Sequence, residues 1–207
     1  VSDIRSGFTL STIAASHPRR GLSLVRDNTK ILTTETRGSD VWMMEYKYPE
    51  GSLEREYKLS GITKVNSIRY SPSGRNIVIG HSGGLRLLNA TNLVEVFLTN
   101  PPVGEVLDAV VSPSLYGILC RQASGITLHI VNNGEPIAYV GSQTWNRTTA
   151  VEFNWDTNPN SPYPHFVVAG IGGNGKWEVV PYRSESFEYG DYSWKINFGE
   201  EIVGIAY

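Results

Sequence analysis

Four histidines, one cysteine, a cluster of glycines and scattered carboxylates are the groups in this chain with chemical potential, and their spacing limits what each can do. His17, His81, His129 and His165 lie far apart, and none forms a short-spaced pair with another histidine or cysteine. A structural zinc site draws its ligands from such pairs, so no metal is expected. Cys120 stands between Leu119 and Arg121 without a nucleophile signature, and no Gly-x-Ser-x-Gly elbow occurs. It reads as a small buried hydrophobe. Gly170, Gly172, Gly173 and Gly175 could cradle a phosphate on their backbone amides, but they join two strand-like runs and lack the helix and Gly-Lys-Ser/Thr ending of a phosphate loop. A hairpin turn is the expected role. Glycoside hydrolysis needs two carboxylates facing each other across a cleft; Asp40, Glu105, Asp108 and Glu152 are the candidates, and the order of residues leaves open which converge.

These groups sit on short β-rich runs. Gly 21 and Pro 11 in 207 residues punctuate them, and nothing resembles a long amphipathic helix. Charged residues are 18% of the chain with a formal net charge of −2, so a basic footprint for nucleic acid is missing. No apolar run approaches the ~18 residues of a membrane span, and no membrane insertion is expected. A lone cysteine fits a reducing compartment, cytoplasmic or nuclear. The sequons Asn89-Ala90-Thr91 and Asn146-Arg147-Thr148 would matter only in a secreted protein.

The run Lys64 to Leu98 is the template for the rest. Residues 65–70 alternate, Ser71-Pro72-Ser73-Gly74 turns, Asn76 to Gly80 is continuously apolar as in a strand buried on both faces, and two further strands follow. Matching units are read at about 22–59, 65–98, 106–140 and 149–198. Residues 6–15 read as a strand of a preceding unit, residues 16–21 as a loop, and residues 202–207 as the start of a next one. First strands aligned on Leu22, Val65, Val106, Ala150 and Ile202 are about 43, 41, 44 and 52 residues apart, against the ~40–45 of a propeller blade. A two-sheet sandwich predicts no such four-strand period. The expected fold is all-β: about four complete four-stranded blades with partial blade strands at both ends. A chain opening on Val1 and stopping at Tyr207 within a strand is expected to be part of a larger propeller.

Ile68-Arg69-Tyr70-Ser71-Pro72-Ser73-Gly74 followed by Ile77-Val78-Ile79-Gly80-His81 resembles the first two strands and turn of the WD-repeat family. Residues 151–177 are similar. The resemblance implies a propeller used for docking proteins, but the Trp-Asp dipeptide and the Gly-His pair are absent. Cohesion between blades is therefore expected to come mainly from apolar contact. Gly125 to Ala138 also resembles a segment of the C-terminal propeller of BEACH-domain proteins, which implies a membrane-trafficking scaffold. Gly173-Asn174-Gly175-Lys176-Trp177 resembles the Asp-box turn of sialidases, without its Ser and Asp.

In a WD-like propeller one rim is built from the turns between second and third strands and from the connections between blades. Arg37, Asp40, His81, Arg121, Gln122, Trp145, Asn146, Arg147 and Asn174 are expected on it. Trp145 with Arg147 is the leading contact pair, since Trp and Arg dominate interface energetics. The chain is expected to be a non-catalytic, cofactor-free interaction scaffold within a larger intracellular complex. Its partners would be other protein subunits, with the rest of the ring supplied by a missing segment or another chain. A propeller glycoside hydrolase or glycan-binding module is the alternative.

Overall fold

The computed structural model describes residues 13, 15–25, 27–96, 102, 104–112, 117–132, 135–153, 165–183 and 196–202. Among them there is no helix; every regular element is a strand. The strands form four antiparallel meanders of four, each hydrogen-bonded in chain order. The first sheet is β1 (Arg19–Leu24), β2 (Lys30–Arg37), β3 (Asp40–Lys47) and β4 (Leu53–Lys58); the second is β5 (Val65–Tyr70), β6 (Asn76–His81), β7 (Gly84–Asn89) and β8 (Glu95–Val96). The third is β9 (Asp108–Val111), β10 (Gly117–Gln122), β11 (Gly125–Asn132) and β12 (Glu135–Thr144); the fourth is β13 (Arg147–Phe153), β14 (His165–Ile171), β15 (Trp177–Arg183) and β16 (Ile196–Phe198).

Side chains of alternate strand residues point to opposite faces, and here both faces are covered. On β6, Ile77 and Ile79 join a core shared with Leu32, Met43 and Leu59 of the first sheet, while Val78 faces Ala109, Ile118 and Cys120 of the third. On β10, Leu119 turns instead to Phe153, Phe166 and Val168 of the fourth sheet. Three apolar layers are thus each shared by two successive sheets, which explains why the second strands read as unbroken apolar runs.

The first strands lie innermost. β5 packs beside β1, β9 beside β5, and β13 beside β9, and among the described residues β13 does not pack back on β1 in the same way. In three sheets the pairing of first and second strands slips near its start, at Arg20/Leu22, Val65/Ser67 and Thr148/Ala150. Such bulges bend a strand and re-aim its side chains. Gly21 permits the first of them: its φ is +67°, and a Cβ there would stand 2.6 Å from Ile68 Cγ2.

Several expected boundaries move. Arg19, Arg20 and Gly21, expected in a loop, belong to β1, which starts before Leu22 because Arg19 pairs with Glu35 across the bulge. β12 runs past Val140 to Thr144, held by the pairing of Gly125 with Thr144. Of the expected strand 6–15 only Ile13 and Ala15 are described, and Ile13 packs on Ile31, Met44 and Tyr46. Residues 97–98, the loop 156–164, the insertion 184–191 and most of 202–207 lie outside the described residues.

Cohesion between sheets is not apolar alone. Glu45, fully buried on β3, accepts hydrogen bonds from Tyr70 of the second sheet, from Arg55 Nη2 at 2.9 Å and from Lys30 Nζ at 3.1 Å. Burial opposes ionisation of Glu45, but these hydrogen bonds outweigh it and hold its carboxyl below the ordinary glutamate range. Glu45→Ala strips three donors of their acceptor and is expected to cost roughly 3 kcal/mol in urea unfolding. Because the folded-state value lies below 4.5, this stabilisation is present above that pH. The gap between the native chain and the variant should close as pH falls through the folded-state value.

Candidate functional site

Antiparallel meanders place the second-to-third-strand turns and the sheet-to-sheet connections at one end. Hydrogen bonds tie the two sets together: Val106 N donates to His81 O at 3.0 Å, Trp145 N to Ser124 O at 2.9 Å, and Asn146 N to Ile171 O at 3.1 Å. The β2–β3 turn carries Arg37 and Asp40. Arg37 donates to Glu35 and Glu56, each at 2.9 Å, and stacks 5.0 Å over the Trp42 ring; Asp40 accepts from Lys58 at 2.7 Å. His81 is half-buried, its Nδ1 accepts from Gly83 N at 3.1 Å, and burial with Arg86 nearby pushes its pKa down. Gln122 ends β10, where its carbonyl accepts from the Thr148 hydroxyl.

Asn146 is exposed between β12 and β13 and donates to Gly172 O at 2.9 Å, and exposed Asn174 accepts from Lys176 N at 2.9 Å. Arg147 is exposed, pairs with Glu201 at 2.9 Å and lies 5.6 Å over Trp177. The glycine cluster is a tight hairpin: Gly172 N donates to Lys176 O and Gly175 N to Gly172 O. A Cβ on Gly170 would come within 2.1 Å of Arg147 O. These glycines serve close strand approach, and two of their amides are already spent on the turn.

Two expected rim residues lie elsewhere. Trp145 is only 4% exposed and packs with Phe153, Phe166 and Val168. The lengthening of β12 delivers it between the third and fourth sheets, so its large apolar ring is buried and offers no surface. Arg121 faces the space enclosed by the first strands, because it pairs with Asp108 at the inner edge of its sheet.

That space is the most chemically furnished part of the chain. A cavity of about 470 Å³ is bounded by the bulged residues Gly21, Asn66 and Thr149 and by Arg69, Asp108, Arg121 and Glu152. A second, of about 310 Å³, follows toward the far end, and Leu22, Arg69 and Glu152 border both. Arg69 donates from Nε and Nη2 to the two Asp108 oxygens at 3.3 and 3.0 Å, and its Nη1 stands 3.9 Å from Glu152 Oε2. A charged layer therefore crosses the axial space. Burial pushes the Glu152 carboxyl up, with Arg69 partly opposing it; burial likewise pulls the Arg121 guanidinium down. Among the four candidate carboxylates, Asp108 and Glu152 converge here, whereas Asp40 pairs with Lys58 and Glu105 with Lys64 and Asn66. Sequence reading takes Arg121 as an outward contact and does not single out Arg69, a lone charge within the strand 65–70.

No protein-family model matches the chain, and no curated protein matches it. By contrast, 860 chains of solved structure match it, so the arrangement does not single out one activity. Among them is hydrazine synthase of Kuenenia stuttgartiensis, with a TM-score of 0.65 and 10% identity over 91% of this chain. The chain spans about half, 51%, of the length of that structure. At this identity the likeness concerns the fold alone.

The charged layer makes a prediction of its own. Arg69→Met removes the cation that opposes the desolvation of Glu152, so the Glu152 carboxyl is expected to titrate higher than in the native chain, read by carboxyl-carbon NMR. Since the folded-state value of Glu152 already exceeds its unfolded one, the carboxyl favours the fold when protonated. That contribution is lost as pH rises from the unfolded value through the folded one, and in the variant the loss should extend to higher pH.

Proposed function

We propose that this chain is a portion of a WD-like β-propeller that serves as a non-catalytic docking platform for other protein subunits in a larger intracellular assembly. One observation carries the reading. On the inner strands β5, β9 and β13 no apolar residue is exposed, but on β1 Leu22 is 70% and Leu24 46% exposed. An inner strand covered on one side only leaves apolar surface and a cavity wall open to water, and further blades packed against β1 would cover both. Those blades come from another part of the polypeptide or from another subunit. Cys120 is fully buried and that burial pushes its thiol up to about 12, which fits an inert packing group better than a nucleophile. The trafficking variant rests on the 125–138 segment, which spans β11 and the start of β12.

Leu22→Asp combined with Leu24→Asp tests the missing blades. In the isolated chain both positions are open, so the melting temperature should move by no more than about 3 °C. In the native assembly the same pair should block incorporation, read by co-purification and size; undiminished incorporation defeats the reading. The docking rim is tested separately with Asp40→Lys and Arg147→Glu, two exposed pairs whose loss costs about 1 kcal/mol or less each. Recovery of protein partners should drop about tenfold or more while the fold is retained. The second reading, a glycan-directed propeller, is supported by the convergence of Asp108 and Glu152, and glycan-release assays against neutral and sialylated substrates decide it.

A further inference from the structure

The rim-side cavity offers more hydrogen-bond donors than the chain satisfies. Arg121 enters it from β10 and donates from Nη1 to Thr148 O at 3.0 Å, but its Nε is buried and has no acceptor. The neighbouring acceptors are committed. Both oxygens of Asp108 hold Arg69, and Oδ1 also accepts from Ala109 N at 2.9 Å. Glu152 turns Oε1 to Phe153 N at 3.1 Å and Oε2 toward Arg69. Of the other polar residues on the wall, Asn66 donates to Glu105 and Val106 O, each at 2.9 Å, and Thr149 to Ala169 O at 3.3 Å, whereas the buried Ser67 hydroxyl has no partner among the described residues. Among the described residues Arg121 is left as a half-buried guanidinium without an ion pair. A buried donor without a partner costs free energy, and a charged one costs more.

The surroundings suit a ligand better than they suit nothing. A space of about 470 Å³ falls within the ~300–1,000 Å³ of small-molecule sites. Three bulges shape its wall, at Gly21, Asn66 and Thr149, and bulges concentrate where a strand must aim residues at a site. Among the charged groups on the wall, two are guanidinium cations and two are carboxylates, and both carboxylates face Arg69. We propose that this cavity binds a small anion, an organic carboxylate or a phosphate ester, held by the Arg121 guanidinium on its wall. A planar guanidinium is well matched to either oxyanion. Leu22 of the bare β1 face borders the same space, but the test below reads anion binding by the chain itself, so it fails or succeeds apart from the docking role.

Calorimetric titration of the 207-residue chain with citrate, with inorganic phosphate and with glucose provides the test. Saturable binding of citrate or phosphate, and none of glucose, is expected; which of the two binds tells a carboxylate site from a phosphate site. Arg121→Met should weaken that binding about tenfold or more, ~1.4 kcal/mol, whereas Arg75→Met, an exposed arginine in the β5–β6 turn, should leave it unchanged. If Arg121→Met does not fold, Glu152→Gln replaces it. Removing that like charge should tighten anion binding by several-fold. No saturable anion binding, equal binding by folded Arg121→Met, or an unaltered affinity in Glu152→Gln would each overturn the proposal.

Discussion

Every junction between successive sheets is crossed by an arginine, and this is the constraint on which the relative placement of the sheets rests. Arg55 of the first sheet donates to the Ala90 and Thr91 carbonyls after the second sheet's third strand. Arg69 of the second reaches Asp108 of the third, and Arg121 of the third reaches Thr148 of the fourth. Apolar contact has no direction, so it can press two sheets together without choosing their rotation. A guanidinium has donors in a fixed plane and meets its acceptors in few orientations. The apolar layers supply the larger stabilisation and the arginines select the angle.

The sequence lacks a Trp-Asp dipeptide at the ends of the third strands, and its reading expects cohesion by apolar contact. The structure has the apolar layers but adds a different polar set. Glu45 is the clearest case: a carboxylate removed from water is tolerated because Tyr70, Arg55 and Lys30 all donate to it. The same logic fails at Arg121, where the donor outnumbers its acceptors. That contrast separates a group serving the fold from a group left available.

Much of the architecture was legible in the chain. Turn residues such as Ser71-Pro72-Ser73-Gly74 mark the hairpin: Gly74 adopts φ of +71°, and the Ser71 hydroxyl accepts from Asn76 N at 3.0 Å. Strand ends were less legible, because pairing rather than local composition fixes where a strand stops. β12 continues beyond Val140 since β11 is there to bond it, and nothing in the residues Gly141 to Thr144 announces that partner. The misplacement of Trp145 follows from those four residues. A tryptophan in a polar connection reads as a contact; the same tryptophan one position after a long strand is core.

The order of residues determined the strand period, the four-strand units, the turns, and the burial of the runs around Ile77 to Ile79 and Ile118 to Cys120, because these depend on alternation and turn chemistry within a few positions. Only the tertiary structure decided that Arg69, Asp108, Arg121 and Glu152 face one axial space and that Leu22 and Leu24 lie bare. Those facts depend on which strands become neighbours across four separate sheets. Side chains more than a hundred residues apart, such as Leu22 and Glu152, come to border one cavity only when the sheets have been stacked.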